Sequence, residues 1–88
     1  QILDRVLNNI KARYVQLADH RVARAATNLK LVLAPWDLEE LRDRGLLAAY
    51  LGDNAAAVAD LETYLAHATG AGDAASVRHW LAELRTRL

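Results

Sequence analysis

The sequence repeats itself at a spacing of about 34 residues, which we call the repeat length, and this repeat restricts the possible folds more than any other feature. Both copies carry a leucine, then a small residue followed by aspartate, then an alanine. The aligned pairs are Leu7 and Leu41, Ala18 and Gly52, Asp19 and Asp53, and Ala23 and Ala57. A leucine that packs two helices, a short turn and an alanine that permits close approach together predict a repeated helical hairpin.

Composition assigns the chain to the all-α class. Ala, Leu and Arg make up about half of its 88 residues, and these are strong helix formers. β-branched residues are scattered, and no alternating run reaches strand length. The predicted helices cover about residues 2–18, 19–33, 37–52, 53–68 and 73–88. Their predicted N-caps are Asp19, Asp37, Asp53 and Asp73, and Glu40 is expected to complete a capping box with Asp37.

Apolar residues at spacings of three and four predict which helix faces form the core. The predicted core positions are Leu3, Val6, Leu7, Ile10, Tyr14 and Leu17 on the first helix, Val22, Ala26, Leu29 and Leu33 on the second, Ala57, Leu61, Leu65 and Ala68 on the fourth, and Val77, Trp80, Leu81, Leu84 and Leu88 on the last. Trp36 lies in the loop between the hairpins, as either a packing residue or an exposed contact residue.

The residues at the repeated positions resemble the tetratricopeptide-repeat family over about residues 4–69. The matching positions are Leu7, Ile10, Tyr14, Ala23 and Pro35 in the first unit, and Leu41, Gly45, Gly52, Asp53, Ala57 and Leu61 in the second. The sequence departs from the family pattern at Lys11, Thr27 and Thr69. The resemblance implies one domain over residues 1–88, with repeats at about 4–36 and 37–69 and a capping helix at about 73–88.

Three stretches, residues 7–11, 31–35 and 41–47, also resemble the C-terminal repeat region of bacterial SirB-type proteins. In that family a transglutaminase-like core precedes the repeats. This resemblance implies that the chain is the C-terminal third of such a protein. The core, including its cysteine position, is absent from the sequence, so its activity does not carry over.

The residue types give no support for catalysis, a metal or a cofactor. The chain has no cysteine, and its three histidines lack the spacing of a helical metal site. Its single serine, Ser76, has no base near it in the pattern. The acidic cluster of Glu39, Glu40 and Asp43 is interpreted as a helix start, with Glu40–Arg44 and Glu39–Arg42 as local ion pairs. We therefore predict a chain that is not an enzyme.

Charge and hydropathy set the expected partners and location. Eleven basic and eleven acidic residues balance, which argues against nucleic acid as a partner. No apolar run approaches the roughly 18 residues needed to cross a membrane, and no leader sequence is visible, so a cytoplasmic location is expected. The basic last helix is interpreted as a solvated capping face.

The family resemblance implies that the first helix of each pair lines a concave groove that receives protein or peptide. The predicted groove residues are Arg5, Asn8, Ala12, Val15, Gln16, Glu39, Arg42, Leu46, Ala49 and Tyr50. Tyr50 is expected either to anchor a partner or to pack against the neighbouring pair. A carboxylate clamp is not predicted, because Ala12 and Leu46 replace the asparagine that such clamps use.

These patterns leave more than one function open. The first is a protein-interaction scaffold that uses the groove. The second is a structural or regulatory appendage, in which Ile2, Leu3 and Val6 dock on an absent core domain or on a second copy of the chain. A third, nucleic-acid binding through the arginines of the last helix, predicts affinity that falls with salt.

Overall fold

The computed structural model describes residues 2–68 and 70–88, except for the side chain of Asp4. Within these residues it contains five helices: α1 (Ile2–Gln16), α2 (His20–Leu33), α3 (Leu38–Tyr50), α4 (Asn54–His67) and α5 (Ala74–Arg85). Each helix packs against the next one along the chain. The predicted fold class, two helical hairpins followed by a closing helix, is confirmed. Gln1 and Thr69, which the predicted domain and its last loop included, lie outside the described residues.

The helix boundaries repeat at the spacing found in the sequence. The second helices of the two hairpins, α2 and α4, begin and end one repeat length apart, and the first helices, α1 and α3, end one repeat length apart. In the described part of the chain, no helix is long and apolar enough to cross a membrane.

Aspartates begin the helices, as predicted, although two details differ. The carboxylates of Asp19, Asp37 and Asp53 each accept a hydrogen bond from the backbone amide three residues later, at 3.3–3.4 Å. Asp73 stands at the N-cap of α5 without such a bond. The predicted capping box at Asp37 is wrong, because the Glu40 carboxylate binds two lysines.

The turns inside the two hairpins use equivalent left-handed residues, which predicts a stabilising substitution. Gly52 has φ of 79° and Ala18, one repeat length earlier, has φ of 57°. A Cβ atom in this region costs roughly 1–2 kcal/mol, part of which the greater flexibility of unfolded glycine offsets. We expect Ala18→Gly to raise the free energy of unfolding by about 0.5–1 kcal/mol and Gly52→Ala to lower it, both measured by urea denaturation. A loss of stability in Ala18→Gly would contradict the assigned turn conformation.

The largest buried cluster lies in the second hairpin and α5. Its members are Ala48, Ala57, Val58, Leu61, Tyr64, Val77, Leu81 and Leu84. The predicted core positions on α4 are therefore inside or at the edge of this cluster, as are Val77, Leu81 and Leu84 of α5. Trp80 and Leu88 were wrongly placed in the core, because both are exposed.

The predicted core face of the first hairpin is largely wrong. Leu7 is buried and Tyr14 half-buried, but Leu3, Val6 and Ile10 on α1, Leu17 just after it, and Leu29 and Leu33 on α2 are exposed. Of the predicted positions on α2, Ala26 is confirmed as buried, and the rest of the buried face consists of Ala23, Thr27, Lys30 and Leu31. The reason is that α2 must face both α1 and α3, so its inner side is set by two neighbours and not by the most apolar stripe.

Lys11 and Thr27, the two residues of the first hairpin that depart from the family pattern, compensate for each other in size. In the second hairpin, a Cβ atom on Gly45 would meet the Leu61 side chain at 3.1 Å, so a small and a large residue pack together. At the equivalent positions of the first hairpin stand a large residue, Lys11, and a smaller one, Thr27. Thr27 is fully buried, and its hydroxyl donates to the Ala23 carbonyl oxygen at 2.9 Å.

Buried charges join the first hairpin to the second. The Glu40 carboxylate binds the ammonium groups of Lys30 at 2.6 Å and Lys11 at 2.8 Å, and Lys30 also donates to Asn8. Lys30 and Glu40 are both buried. The predicted local pair Glu40–Arg44 is therefore wrong, and Arg44 instead binds Asp60 on α4 at 2.8 Å.

Candidate functional site

The first helices of the hairpins and α5 form one face that contains two neighbouring hollows, which we call the trough. The hollow between α1 and α3 has a volume of about 710 Å³. It is lined by Asn8, Asn9, Lys11, Ala12, Val15, Gln16, Asp43, Leu46 and Leu47. The hollow between α3 and α5 has a volume of about 360 Å³ and is lined by Leu46, Ala49, Tyr50, Trp80, Glu83, Leu84 and Arg87. Leu46 borders both hollows, so they lie side by side on this face.

Most of the predicted groove residues border this trough. Asn8, Ala12, Val15, Gln16, Leu46, Ala49 and Tyr50 line one of the two hollows. Arg5 and Glu39 lie outside them, and Arg42 does not line either one. The role of the lining residues in binding remains a prediction.

The trough follows the sequence repeat through a third helix. Ala12, Leu46 and Trp80 stand at successive steps of one repeat length, and all three line the hollows. The same holds for a second set, Val15, Ala49 and Glu83, and for a third, Gln16, Tyr50 and Leu84. α5 therefore contributes residues to the trough as α1 and α3 do, in addition to closing the second hairpin. A second shift by one repeat length along the sequence would have identified Trp80 as a lining residue.

Arg42, one of the predicted groove residues, is held by the protein's own carboxylates. Its guanidinium binds Asp43 at 2.9 Å and Asp73 at 2.8 Å and lies 5.9 Å from the centre of the Tyr64 ring. The Tyr64 hydroxyl donates to Asp73 at 2.5 Å. This bond and the one from Arg42 lower the pKa of Asp73. Arg42 therefore ties α3 to the start of α5 and fixes the spacing across the α3–α5 hollow.

A second charged group forms the floor of the α1–α3 hollow. Lys11 donates to Asp43 at 2.6 Å and to Glu40 at 2.8 Å. Burial opposes the charged form of Lys11, but these two hydrogen bonds outweigh it and raise its pKa. The ammonium group is thus neutralised by the protein's own carboxylates, and the neighbouring Ala12, Val15 and Gln16 are left to meet a ligand.

Aromatic side chains border the α3–α5 hollow on both sides. The Tyr50 ring, 74% exposed, stacks on His20 with a 4.5 Å centroid distance and a 6° interplanar angle. Tyr50 therefore packs against the first hairpin, which is one of its two predicted roles, and its role as an anchor for a partner stays a prediction. Trp80 on α5 is 38% exposed, and Glu83 beside it lies 3.3 Å from His79.

The hollow also contains one cation, Arg87, near the Glu83 carboxylate that lines it as well. Arg87 lines the hollow and forms no ion pair with any side chain that the structure describes. The floor beneath it is apolar, formed by Leu46 and Leu84. An apolar floor, aromatic sides and one available cation suit a protein segment that inserts a large apolar side chain.

Comparison with known proteins agrees with this geometry. The family profile of the tetratricopeptide repeat matches residues 10–82, which is most of the chain and includes much of α5. The chain therefore belongs to the tetratricopeptide-repeat family. Repeats of this family generally mediate protein–protein interaction. No curated protein and no solved structure matches the chain.

Proposed function

We propose that the chain is a non-catalytic interaction scaffold whose trough binds an extended segment of a partner protein. The observation that supports this most is the alignment of lining residues at the repeat spacing on α1, α3 and α5. A segment running along this face would meet equivalent positions of three helices in turn. No cofactor takes part in this proposal.

The α3–α5 hollow is the proposed anchor point of the segment. Its volume of about 360 Å³ accommodates one large apolar or aromatic side chain between Tyr50 and Trp80. Arg87, at the edge, is available to a carboxylate next to that side chain. The two exposed aromatic rings are the residue types that dominate binding energy at protein interfaces.

Substitutions of the two aromatic residues that line the hollow, with a third aromatic residue as the control, test this proposal directly. Peptides selected from a random display library on the wild-type chain are measured by calorimetry against Trp80→Ala, Tyr50→Ala and Trp36→Ala. We expect the first two substitutions to weaken binding by about tenfold or more, as is typical of aromatic interface anchors. Trp36→Ala is the matched control, because Trp36 is 77% exposed and lines neither hollow.

The proposal would be wrong if the selected peptides bound Trp80→Ala and Tyr50→Ala as tightly as the wild type. It would also be wrong if Trp36→Ala weakened binding as much as they do, since that result would place the site on the loop. Circular dichroism of each variant separates loss of binding from loss of folding.

A second candidate function is that of a structural or regulatory appendage of an enzyme core, and two observations support it. One is the resemblance of residues 7–11, 31–35 and 41–47 to SirB-type repeats, and the other is the exposure of Ile2, Leu3 and Val6 on α1. Under this proposal, residues 4–36 and 37–69 are the two repeats of a cytoplasmic protein with a transglutaminase-like core. The gene sequence that precedes the codon for Gln1 tests it, because further repeats there in place of such a core would exclude it.

A further inference from the structure

One side of the first hairpin presents apolar side chains to solvent, and we call it the open face. On α1 and the residue that follows it, this face comprises Ile2, Val6, Ile10 and Leu17, and on α2 it comprises Leu29 and Leu33. Val6, near its centre, is 46% exposed. An exposed cluster of apolar side chains is typical of a surface that binds another protein.

The second hairpin indicates what such a face normally contacts. One repeat length after Val6 and Ile10 stand Glu40 and Arg44, and both touch the preceding helix α2. Glu40 binds Lys30 at 2.6 Å, and Arg44 donates to Asn28 at 3.3 Å. Val6 and Ile10 therefore occupy the positions through which the next hairpin packs on a preceding helix. In the part of the chain that the structure describes, Val6 and Ile10 are exposed.

The charges of the first hairpin indicate the chemistry of a helix that would cover the open face. Residues 2–36 carry six basic and two acidic side chains. Three of the basic groups, Lys11, Arg24 and Lys30, pair with carboxylates of residues 40–53. Arg13 on α1 and Arg21 on α2 form no ion pair with a described side chain. Position 13 is equivalent to Leu47, which is buried against its neighbours. A helix that covers this face must therefore accommodate the Arg13 guanidinium with a carboxylate, because an unpaired buried charge is costly.

We propose that the open face binds an acidic amphipathic helix of a partner protein, packed on α1 as α2 packs on α3. The apolar stripe of that helix covers Val6 and Ile10, and its carboxylates face Arg13. A second copy of this chain that docks through the same face fits less well, since both surfaces would then present the unpaired Arg13. The proposal is independent of the trough, which lies on the face shared by α1, α3 and α5.

Two synthetic helical peptides test the chemistry. Both carry leucine at spacings of three and four, and one has glutamate and the other lysine at the flanking positions. Titration into the isotopically labelled chain, followed by NMR, should show the glutamate peptide binding about tenfold more tightly than the lysine peptide at low salt. Its shifts should centre on Val6, Ile10 and Leu33, and its affinity should fall as salt is added.

Variants separate this site from the trough. The double variant Val6→Asp, Ile10→Asp should lose at least about tenfold in affinity for the glutamate peptide. Leu88→Asp, at the other end of the chain, is the matched control with an exposed apolar residue and should bind as the wild type does. Tyr50→Ala, which tests the trough, should leave the shifts on α1 unchanged. Melting curves establish that each variant is folded.

Four results would overturn the proposal: no shifts on α1, equal affinity for the two peptides, full binding by the double variant, or a salt-strengthened dimer. Sedimentation measures the last of these. A dimer that the double variant abolishes would assign the open face to a second copy of the chain.

Discussion

Replacing Glu40 with alanine is expected to lower the free energy of unfolding by about 3–5 kcal/mol, the usual cost of removing one partner from a buried ion pair. The Glu40 carboxylate lies between the ammonium groups of Lys30 and Lys11, at 2.6 and 2.8 Å. Without it, Lys30 retains only a neutral hydrogen-bond partner, Asn8, among the residues that the structure describes. An 88-residue domain has a total stability of about 4–13 kcal/mol, so urea denaturation should show a largely destabilised chain.

Two companion substitutions show whether the buried charge is responsible. Glu39→Ala, one residue earlier and outside the buried cluster, should change stability by less than about 0.5 kcal/mol. Lys30→Met should cost less than Glu40→Ala, because Glu40 then still binds Lys11. If Glu40→Ala and Glu39→Ala unfolded at the same urea concentration, the buried charges would have no role in joining the two hairpins.

Truncating Leu61 to alanine should cost about 3–5 kcal/mol, since it leaves a cavity in a site that cannot collapse. Leu61 is 0% exposed and belongs to the buried cluster shared by α3, α4 and α5. Its side chain lies 3.1 Å from where a Cβ atom of Gly45 would be, so α3 already approaches α4 as closely as a glycine permits. The Cβ atom of Asp60, which the substitution leaves in place, stands at the same distance of 3.1 Å and limits how far α3 can move inward.

Leu29→Ala is the matched control for this substitution. Leu29 lies on α2, the equivalent helix of the first hairpin, and is 54% exposed. We expect it to lose less than about 1 kcal/mol, partly because alanine is the better helix former. Thermal and urea unfolding of the two variants measure the difference. Equal losses would mean that the predicted apolar stripe of α2, and not its observed inner face, forms the core.

Local interactions explain why so much of the fold was predictable. Each capping aspartate acts on an amide only three residues away. The turn at Gly52 needs only a residue that tolerates positive φ. Because these determinants act within one turn of helix, they are visible in the sequence, and the repeat then places them twice. The family and the helix boundaries follow from the same signals.

The candidate site was predictable in part, for a related reason. Ala12 and Leu46 stand at equivalent repeat positions, so both were placed on the groove, and both line the trough. Trp80 occupies the third such position, but a large aromatic residue on an apolar helix face also fits a core. The pairing of Arg42 was not predicted, because its partner Asp73 lies 31 positions away in the sequence.

The sequence by itself determined the all-α class, the hairpin repeat, the capped helix starts and the position of the turns. Only the tertiary structure decided which face of each helix became buried, which charges paired and that α5 completes the trough. The pairs Lys30–Glu40 and Lys11–Asp43 join residues 10 and 32 positions apart. Such contacts depend on how neighbouring helices are placed. When the apolar residues of a helix spread over several of its faces, more than one face could be buried, and the positions of the neighbouring helices determine which face is.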